Sequence, residues 1–252
     1  MSSKLSVTVI TKNEEKNIKR CLDSVSWADE IVVVDSGSTD KTLEICKKYN
    51  CKIIETDWLG FGKIKKFAVD SASYDWIFSI DADEEVTPEL EKEIKRLLSK
   101  DNPKNGYKIK RISFYLKKWI RYSGWNRDYP LRLFNRKAGN FNENLVHESV
   151  RIRGEIGKID KILKHYTYPN LTSYILKMEH YANLGAEEAV KKGKKSSVFN
   201  AIFHGLAKFL KMYFVDRGFL DGRVGLALSI NSAFSVYLKY LKIWERTENV
   251  KK

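Results

Sequence analysis

Residues 76–85 have the sequence WIFSIDADEE, in which a short apolar run ends at two aspartates. The β-branched and aromatic residues at 76–80 predict a buried strand. Because side chains alternate along an extended backbone, Asp81 and Asp83 point the same way and repel unless a positive charge lies between them. Hard oxygen ligands of this kind suit Mg²⁺ or Mn²⁺. An acidic helix start is the alternative, and the rest of the chain has to decide between the two.

The chain before Asp81 alternates between predicted strands and predicted helices. Strands are predicted at 5–10, 31–34, 51–55 and 76–80, with helices at 15–25, 41–49 and within 60–73. This order implies an α/β fold, with a Rossmann-like, mainly parallel central sheet flanked by helices. Ligands of such sheets bind beyond the carboxyl ends of the strands. The loops at 11–14, 35–40 and 81–85 therefore meet at one edge.

The second half of the chain changes character. Strands are expected at 106–115, 129–135 and in part of 148–154, and helices at 171–191, 198–214 and 224–244. The last two helices mix lysines with aromatic residues, which is typical either of a solvated basic face packed on the protein or of an amphipathic surface on an anionic membrane. No stretch of 18 apolar residues exists, so no spanning helix is expected.

The composition narrows the class of partner. The 252 residues carry a net charge of +14, which predicts anionic partners: nucleic acid, phosphorylated small molecules or an anionic membrane surface. A nucleic-acid binder needs a basic stripe with aromatic residues rather than three acidic loops at one sheet edge, so that class is disfavoured. Cys21, Cys46 and Cys51 lack metal-type spacing, and no signal peptide is visible. A reducing, cytoplasmic location is expected.

The three loops carry the groups that a nucleotide requires. Asp35 could take the base and Asp81 the ribose or the metal. Each carboxylate also has a structural alternative: Glu14 as a complement to a helix dipole, and Asp35 and Asp40 as caps or turn formers. Together with Asp83 at the same sheet edge, these residues favour a nucleotide pocket.

Several motifs resemble a known family. VTVITKNE (7–14), VVDSGSTD (33–40) and DAD (81–83) are similar to the GT-A fold of family 2 glycosyltransferases. WLGFG (58–62), LRLFN (131–135) with VHE (146–148), and RGFLDG (217–222) resemble the small lipopolysaccharide core β-glucosyltransferases of that family. The resemblance implies a GT-A catalytic domain over residues 1–170 and a C-terminal helical, basic amphipathic region over residues 171–252.

The resemblance also implies an activity. It is that of an inverting, metal-dependent enzyme moving a sugar, in the first place glucose, from a UDP-sugar to a lipopolysaccharide inner-core sugar or a similar membrane-associated glycan. The divalent ion would be Mn²⁺ or Mg²⁺, and the enzyme would lie in the cytoplasm or peripherally on the inner face of the cytoplasmic membrane. By resemblance, the donor would be held by Thr11, Glu14, Asp35, Ser38, Lys65, Asp81 and Asp83, with Asp83 as metal ligand and Asp81 shared between ribose and ion.

An inverting transfer needs a base that takes a proton from the acceptor hydroxyl. Glu148 is the candidate, because the family motif has a carboxylate there; the alternative is that it pairs with Arg151 or Arg132. Arg132 either binds the diphosphate or a phosphorylated acceptor bidentately, or is structural. His165 either completes the metal shell or is an ordinary core or surface histidine.

Two other enzyme classes stay open. A sugar-1-phosphate nucleotidyltransferase shares an α/β core and paired aspartates, but it usually has a glycine-rich, arginine-containing loop after its first strand. Thr11–Glu14 contains no glycine. A protein glycosyltransferase remains the second alternative, since the sequence does not fix the acceptor.

Overall fold

The computed structural model describes residues 3–142 and 149–248. The chain forms two compact units. The first comprises Met1–Arg111 and Asp128–Tyr166, and the second comprises Ile112–Arg127 and Thr167–Lys252.

The first unit is built on a sheet whose N-terminal half, formed by its first four strands, is parallel. Its first four strands, in the spatial order β3-β2-β1-β4, are β1 (Leu5–Thr11), β2 (Glu30–Asp35), β3 (Lys52–Glu55) and β4 (Trp76–Asp81). The helices that connect them are α1 (Ile18–Val25), α2 (Thr42–Cys46) and α3 (Phe61–Asp70). The predicted α/β order is therefore confirmed.

Antiparallel strands continue this sheet beyond β4. They follow in the order β8-β6-β11-β5, and comprise β5 (Glu84–Val86), β6 (Gly106–Tyr115), β8 (Leu131–Asn135) and β11 (Ile156–Tyr168). A separate hairpin pairs β9 (Gly139–Phe141) with β10 (Val150–Ile152). A side chain at Gly139 would bring its Cβ within 1.8 Å of the Arg151 carbonyl oxygen, so the close pairing of this hairpin requires glycine.

Both faces of the sheet are covered, which explains the nearly continuous apolar runs of its central strands. Ile31 and Val33 face one core, whereas Val32 and Val34 face the other, as the alternation of a strand requires. The first core packs against α1 and α4 (Pro88–Leu98), and the second packs against α3.

The helix after the two aspartates, α4, begins only at Pro88, so Asp83, Glu84 and Glu85 are not part of its first turn. Thr87 caps α4 by accepting a hydrogen bond from the Leu90 amide at 3.3 Å, and Pro88 occupies its first turn. Glu84–Val86 is strand β5, which pairs with β11. The acidic-helix alternative for this stretch is therefore wrong.

The second unit is mainly helical. It contains β7 (Lys118–Trp119), α5 (Leu171–Lys191), α6 (Val198–Leu210) and α7 (Gly222–Glu248), with a π-helix at Lys211–Val215 and a 3₁₀ turn at Gly218–Asp221. The buried Asp221 carboxylate accepts hydrogen bonds from the Arg121 and Tyr122 amides at 3.1 and 3.0 Å. This network ties the segment around residue 121 to the start of α7.

One segment of the described chain, Gly218–Glu248, is long and apolar enough to cross a membrane by length and composition alone. The stricter rule applied to the sequence, 18 consecutive apolar residues, does not select it. The core helix of a soluble protein can be equally long and apolar, so length and composition do not by themselves indicate a spanning helix.

Candidate active site

The carboxyl ends of three parallel strands lie side by side. In the sheet register Thr11 is opposite Asp35 and Ile10 is opposite Asp81. The acidic loops that the sequence places at one sheet edge therefore do meet there.

The loops after β1 and β2 are linked by side-chain hydrogen bonds. Asn13 adopts a left-handed backbone conformation with φ of 55°. Its amide donates to the Ser38 hydroxyl at 2.8 Å, and its side-chain oxygen accepts from the Thr39 amide at 2.8 Å. The Glu14 amide donates to the Thr42 hydroxyl at 2.8 Å. These hydrogen bonds join the loops at residues 11–14 and 35–42 beyond the carboxyl ends of β1 and β2. We call this pair of hydrogen-bonded loops the ledge.

Asp35 shapes this ledge from inside. Its carboxylate is fully buried and accepts hydrogen bonds from the Gly37 amide at 2.9 Å, the Ser38 amide at 2.8 Å and the Ser38 hydroxyl. These are the contacts of a turn-forming aspartate. Asp35 and Ser38 thus fix the loop's shape, whatever further contact they make with a nucleotide.

Two other predicted donor residues lie on the β1 side. The Thr11 hydroxyl is buried at the sheet edge and has no hydrogen-bond partner among the described residues. Glu14 accepts a hydrogen bond from the Asn17 side-chain amide at 2.7 Å, in the turn that leads into α1. A buried hydroxyl without a partner is uncommon and marks Thr11 as a candidate ligand contact.

Asp81 lies between two cations. One carboxylate oxygen is 2.9 Å from the Lys65 ammonium, and the other accepts from the Arg132 guanidinium at 2.5 Å. Burial raises the pKa of Asp81, but Arg132 and Lys65 outweigh it and hold the pKa well below its usual range. Asp81 is therefore ionised at neutral pH, with both oxygens engaged.

Beneath Asp81 lies Glu84, which the sequence reasoning did not single out. It is fully buried, and one of its oxygens accepts from Arg132 at 2.7 Å and from Arg111 at 2.9 Å. The other oxygen accepts from the Asp81 amide at 2.9 Å. Arg111 also pairs with Asp128 at 2.7 Å. Glu84 therefore links the backbone of the DAD motif to the arginines.

This group forms a charge cluster of three cations and three carboxylates. Its members are Lys65, Arg111, Arg132, Asp81, Glu84 and Asp128. Among the described residues the opposite charges of the cluster are equal in number, and such pairing is what makes the burial of charge tolerable. Arg132 is almost entirely buried within it, and this placement supports its structural alternative.

Asp83 faces a different partner. One of its oxygens lies 3.3 Å from the His165 imidazole Nε2, and both side chains are largely buried. Strand β11 provides the histidine: His165 is paired with Glu84, and the Tyr166 amide donates to the Asp83 carbonyl at 2.8 Å. The contact places a carboxylate oxygen beside an imidazole nitrogen, and both are groups that can bind a divalent metal ion.

The side chains at this position fit a divalent ion that takes its remaining ligands from the substrate and from water. Among the described residues, no group of three or more His, Cys, Asp or Glu side chains converges. Mg²⁺ and ions like it are commonly held by one or two carboxylates and complete their shell with substrate phosphates and water. Asp83 and His165 are the residues that would hold it, whereas Asp81 would have to exchange a cation for the ion.

Glu85 supports the same strand end from the outside. It accepts hydrogen bonds from Lys164 at 2.8 Å and from the Tyr166 hydroxyl at 2.6 Å. Burial and the neighbouring Glu85 raise the pKa of Tyr166 to about 12. The Arg20 guanidinium lies 3.4 Å from the centre of the Tyr166 ring. These contacts hold β11 against β5.

Glu148, the predicted base, and His147 beside it lie outside the described residues. The catalytic role of Glu148 stays a prediction.

Comparison with known proteins identifies the family. Residues 6–154 match the family model described as glycosyl transferase family 2. The chain belongs to glycosyl transferase family 2. This confirms the family expected from the sequence motifs, and the protein is a glycosyltransferase.

Two relatives of this glycosyltransferase match almost its whole length. An uncharacterised glycosyltransferase of Rickettsia typhi is 34% identical over 96% of this chain and 87% of its own. The lipopolysaccharide core biosynthesis glycosyltransferase LpsC of Rhizobium meliloti is 29% identical over 96% of this chain and 92% of its own. The crystal structure of Staphylococcus aureus TarS in complex with UDP-GlcNAc aligns with a TM-score of 0.52 and 19% identity, over 98% of this chain and 83% of that one. The last likeness confirms the GT-A fold.

Proposed function

We propose that this family 2 glycosyltransferase transfers a hexose, glucose in the first place, from a UDP-sugar to a lipopolysaccharide inner-core sugar or a similar membrane-associated glycan. The acceptor class is supported by LpsC, a lipopolysaccharide core enzyme similar to nearly the whole chain. The donor class is supported by TarS, a protein of this fold that binds UDP-GlcNAc. A cytoplasmic enzyme placed peripherally on the inner face of the membrane would meet both substrates.

The observation that carries the proposal is the pairing of Asp83 with His165 at the sheet edge that also bears the ledge. Departure of UDP builds negative charge on the diphosphate. A bound Mn²⁺ or Mg²⁺ would supply a Lewis acid at that point. Asp83 and His165 hold this position, while Lys65 and Arg132 fix the orientation of Asp81 next to it.

The ledge would bind the uridine, and Glu148 would deprotonate the acceptor hydroxyl. Thr11, with its buried hydroxyl, and Glu14 contact the uridine. Glu148 accepts the proton of the acceptor hydroxyl as that oxygen attacks the anomeric carbon from the face opposite UDP. The sugar passes through an oxocarbenium-like state in between.

The test measures nucleoside diphosphate release from a panel of UDP- and GDP-sugars, with a lipopolysaccharide core oligosaccharide or a peptide as acceptor. We expect release of UDP, with the core oligosaccharide, in the presence of Mn²⁺ and not of EDTA. Asp83→Ala should lose this turnover. Asp160→Ala is the matched control, because that aspartate is 73% exposed on β11.

Each part of the proposal can fail separately. Equal turnover by Asp83→Ala and wild type refutes the metal assignment. Release of GDP instead of UDP refutes the donor class, and transfer to the peptide alone refutes the glycan acceptor. Unchanged transfer by Glu148→Gln refutes the base.

A further inference from the structure

The large apolar side chains of α6 point away from the protein. Its buried residues are small, namely Ala201 and Gly205. A Cβ at Gly205 would lie 3.1 Å from the Tyr237 Cβ and 3.2 Å from the Ala233 carbonyl oxygen, so α6 packs closely on α7 through this glycine. Five of its exposed apolar residues form one stripe at helical spacing: Phe199, Ile202, Phe203, Leu206 and Leu210. A helix of a water-soluble protein normally has the opposite arrangement.

Further exposed apolar residues follow in the connection and on α7, which packs against α6 at Gly205. Exposed apolar residues of the connection are Phe214, Val215, Phe219 and Leu220, and those of α7 are Leu226, Ile230 and Phe234, each four residues apart. We call these twelve residues, from Phe199 to Phe234, the outer apolar surface. Soluble monomers rarely expose contiguous apolar patches larger than a few hundred Å². Helices that face lipid have this arrangement, with small residues at the contact between helices and large apolar residues on the outside.

The charge of this segment determines which partner fits. Residues 189–244 contain ten lysines and arginines and only two acidic residues. Both acids, Asp216 and Asp221, are buried. The segment therefore exposes no carboxylate side chain, whereas Lys211, Arg217 and Arg223 are exposed among the apolar residues. An apolar surface with exposed basic side chains, in a segment that exposes no carboxylate, complements an anionic bilayer.

We propose that the outer apolar surface docks on an anionic lipid bilayer, with its apolar side chains at the acyl boundary and its basic side chains among the phosphates. This inference deepens the proposed function and rests on it, because docking would bring the enzyme to the leaflet that carries a membrane-associated acceptor.

Length alone does not separate docking from spanning. The thirteen residues of α6 extend about 20 Å at 1.5 Å per residue, less than the roughly 30 Å of a hydrocarbon core, whereas Gly218–Glu248 is long enough to cross. The positions of the basic residues favour docking in the plane of the interface. If α6 were inserted along the membrane normal, its length would leave the basic residues Lys211, Arg217 and Arg223 at the α6–α7 turn inside the hydrocarbon, which is costly. At the surface they stay hydrated.

The experiment is co-sedimentation of the full chain with vesicles of phosphatidylcholine, alone or with about one-third phosphatidylglycerol. We expect binding to the anionic vesicles that weakens as salt is raised, because surface charge is screened within about 10 Å at 0.1 M salt. Neutral vesicles should bind less.

Two sets of variants separate the apolar and charged contributions. Phe199→Glu combined with Phe203→Glu should lower binding to anionic vesicles at least tenfold, since these side chains are 84% and 68% exposed and their replacement does not touch the core. Lys211→Gln combined with Arg223→Gln should lower it about 25-fold, because each basic residue near an anionic surface contributes about fivefold. Phe67→Glu, an exposed phenylalanine of α3 outside this surface, is the matched control.

Circular dichroism and thermal unfolding establish that each variant is folded. Failure of wild type to sediment with anionic vesicles overturns the proposal, as does equal binding by the Phe199→Glu, Phe203→Glu variant. A concentration-dependent dimer that this variant abolishes, without vesicle binding by wild type, would assign the surface to a second copy instead. The assay contains no sugar donor or acceptor, and UDP release measured without lipid should be unchanged in the variants. Docking and sugar transfer can therefore fail independently.

Discussion

Replacing Glu84 by glutamine removes one charge from the buried cluster and keeps the shape of the side chain. In wild type, Glu84 accepts from Arg132 at 2.7 Å, from Arg111 at 2.9 Å and from the Asp81 amide at 2.9 Å. Within the part of the cluster that the structure describes, three carboxylates face three cations. In Glu84→Gln two carboxylates, Asp81 and Asp128, face the same three cations, and the amide group of the new side chain points a donor at a guanidinium.

The cost can be bounded from the geometry. Removing one partner of a buried ion pair costs about 3–5 kcal/mol, because a charge is left uncompensated. Asp128 is 37% exposed and still pairs with Arg111, so the lower end, about 3 kcal/mol, is expected. For a chain of this size that loss lowers the midpoint of thermal unfolding by roughly 6–12 °C.

Urea and thermal unfolding of wild type and variant measure the effect. The control is Glu44→Gln, whose carboxylate is 63% exposed and pairs with Lys48 four residues on at 3.3 Å. A surface pair of this kind contributes about 0.5 kcal/mol or less. Combining Glu84→Gln with Arg111→Gln removes one cation and restores the balance, so the double variant should be less destabilised than the sum of the two single changes.

Two results would refute this reasoning. The first is a Glu84→Gln variant as stable as the Glu44→Gln control. The second is strict additivity with Arg111→Gln, because residues in one buried network should couple by at least about 0.5 kcal/mol.

Three further outcomes follow from the structure. The depressed pKa of Asp81 stabilises the fold above the unfolded-state pKa of about 3.9, and this stabilisation is lost as the pH falls. The difference in unfolding free energy between wild type and Asp81→Asn, measured by urea unfolding at a series of pH values, should therefore shrink below about pH 4. A difference that stays constant across the pH series would contradict the prediction. Burial raises the pKa values of the Cys21 and Cys46 thiols, the latter to about 12, while Cys51 is only half-buried; a thiol reagent should label Cys51 first in the native protein, and fast labelling of Cys21 would show that its burial is wrong. Thr87→Ala removes the cap of α4 and should cost about 1 kcal/mol in urea unfolding; Thr87→Ser, which keeps the hydroxyl, should cost much less, and equal losses would exclude capping as the cause.

The sheet edge could be predicted from sequence because its cause is local. Apolar runs of four to six residues separated by amphipathic helices leave little choice but a parallel sheet. Once the strands are parallel, the residues that follow them must meet at one end. This is why Thr11, Asp35 and Asp81 could be placed together, and the register of β1 with β2 and β4 confirms it.

Glu84 could not be found in the same way, because its environment is assembled from distant parts of the chain. Its arginine partners lie 27 and 48 residues away, on β6 and β8. Within the local sequence DADEEVTP, a glutamate before Thr-Pro suggests an exposed helix start. The one available signal is Pro88, which marks the first helical turn and so places Glu84 outside the helix.

The two aspartates of the DAD motif are two residues apart on one strand end, yet the fold gives them different chemistry. Asp81 is held between Lys65 and Arg132, so a divalent ion approaching it meets two positive charges that are already in place. Asp83 is opposite the imidazole ring of His165, and an ion approaching there would meet an oxygen and a nitrogen atom. The cluster beneath Asp81 therefore has two effects: it fixes the backbone from which Asp83 projects, through the bond from the Asp81 amide to Glu84, and it makes Asp83 the carboxylate of the pair that is better suited to a metal. If the proposed metal ion binds, the buried arginines therefore decide as much as the aspartates which of the two carboxylates receives it.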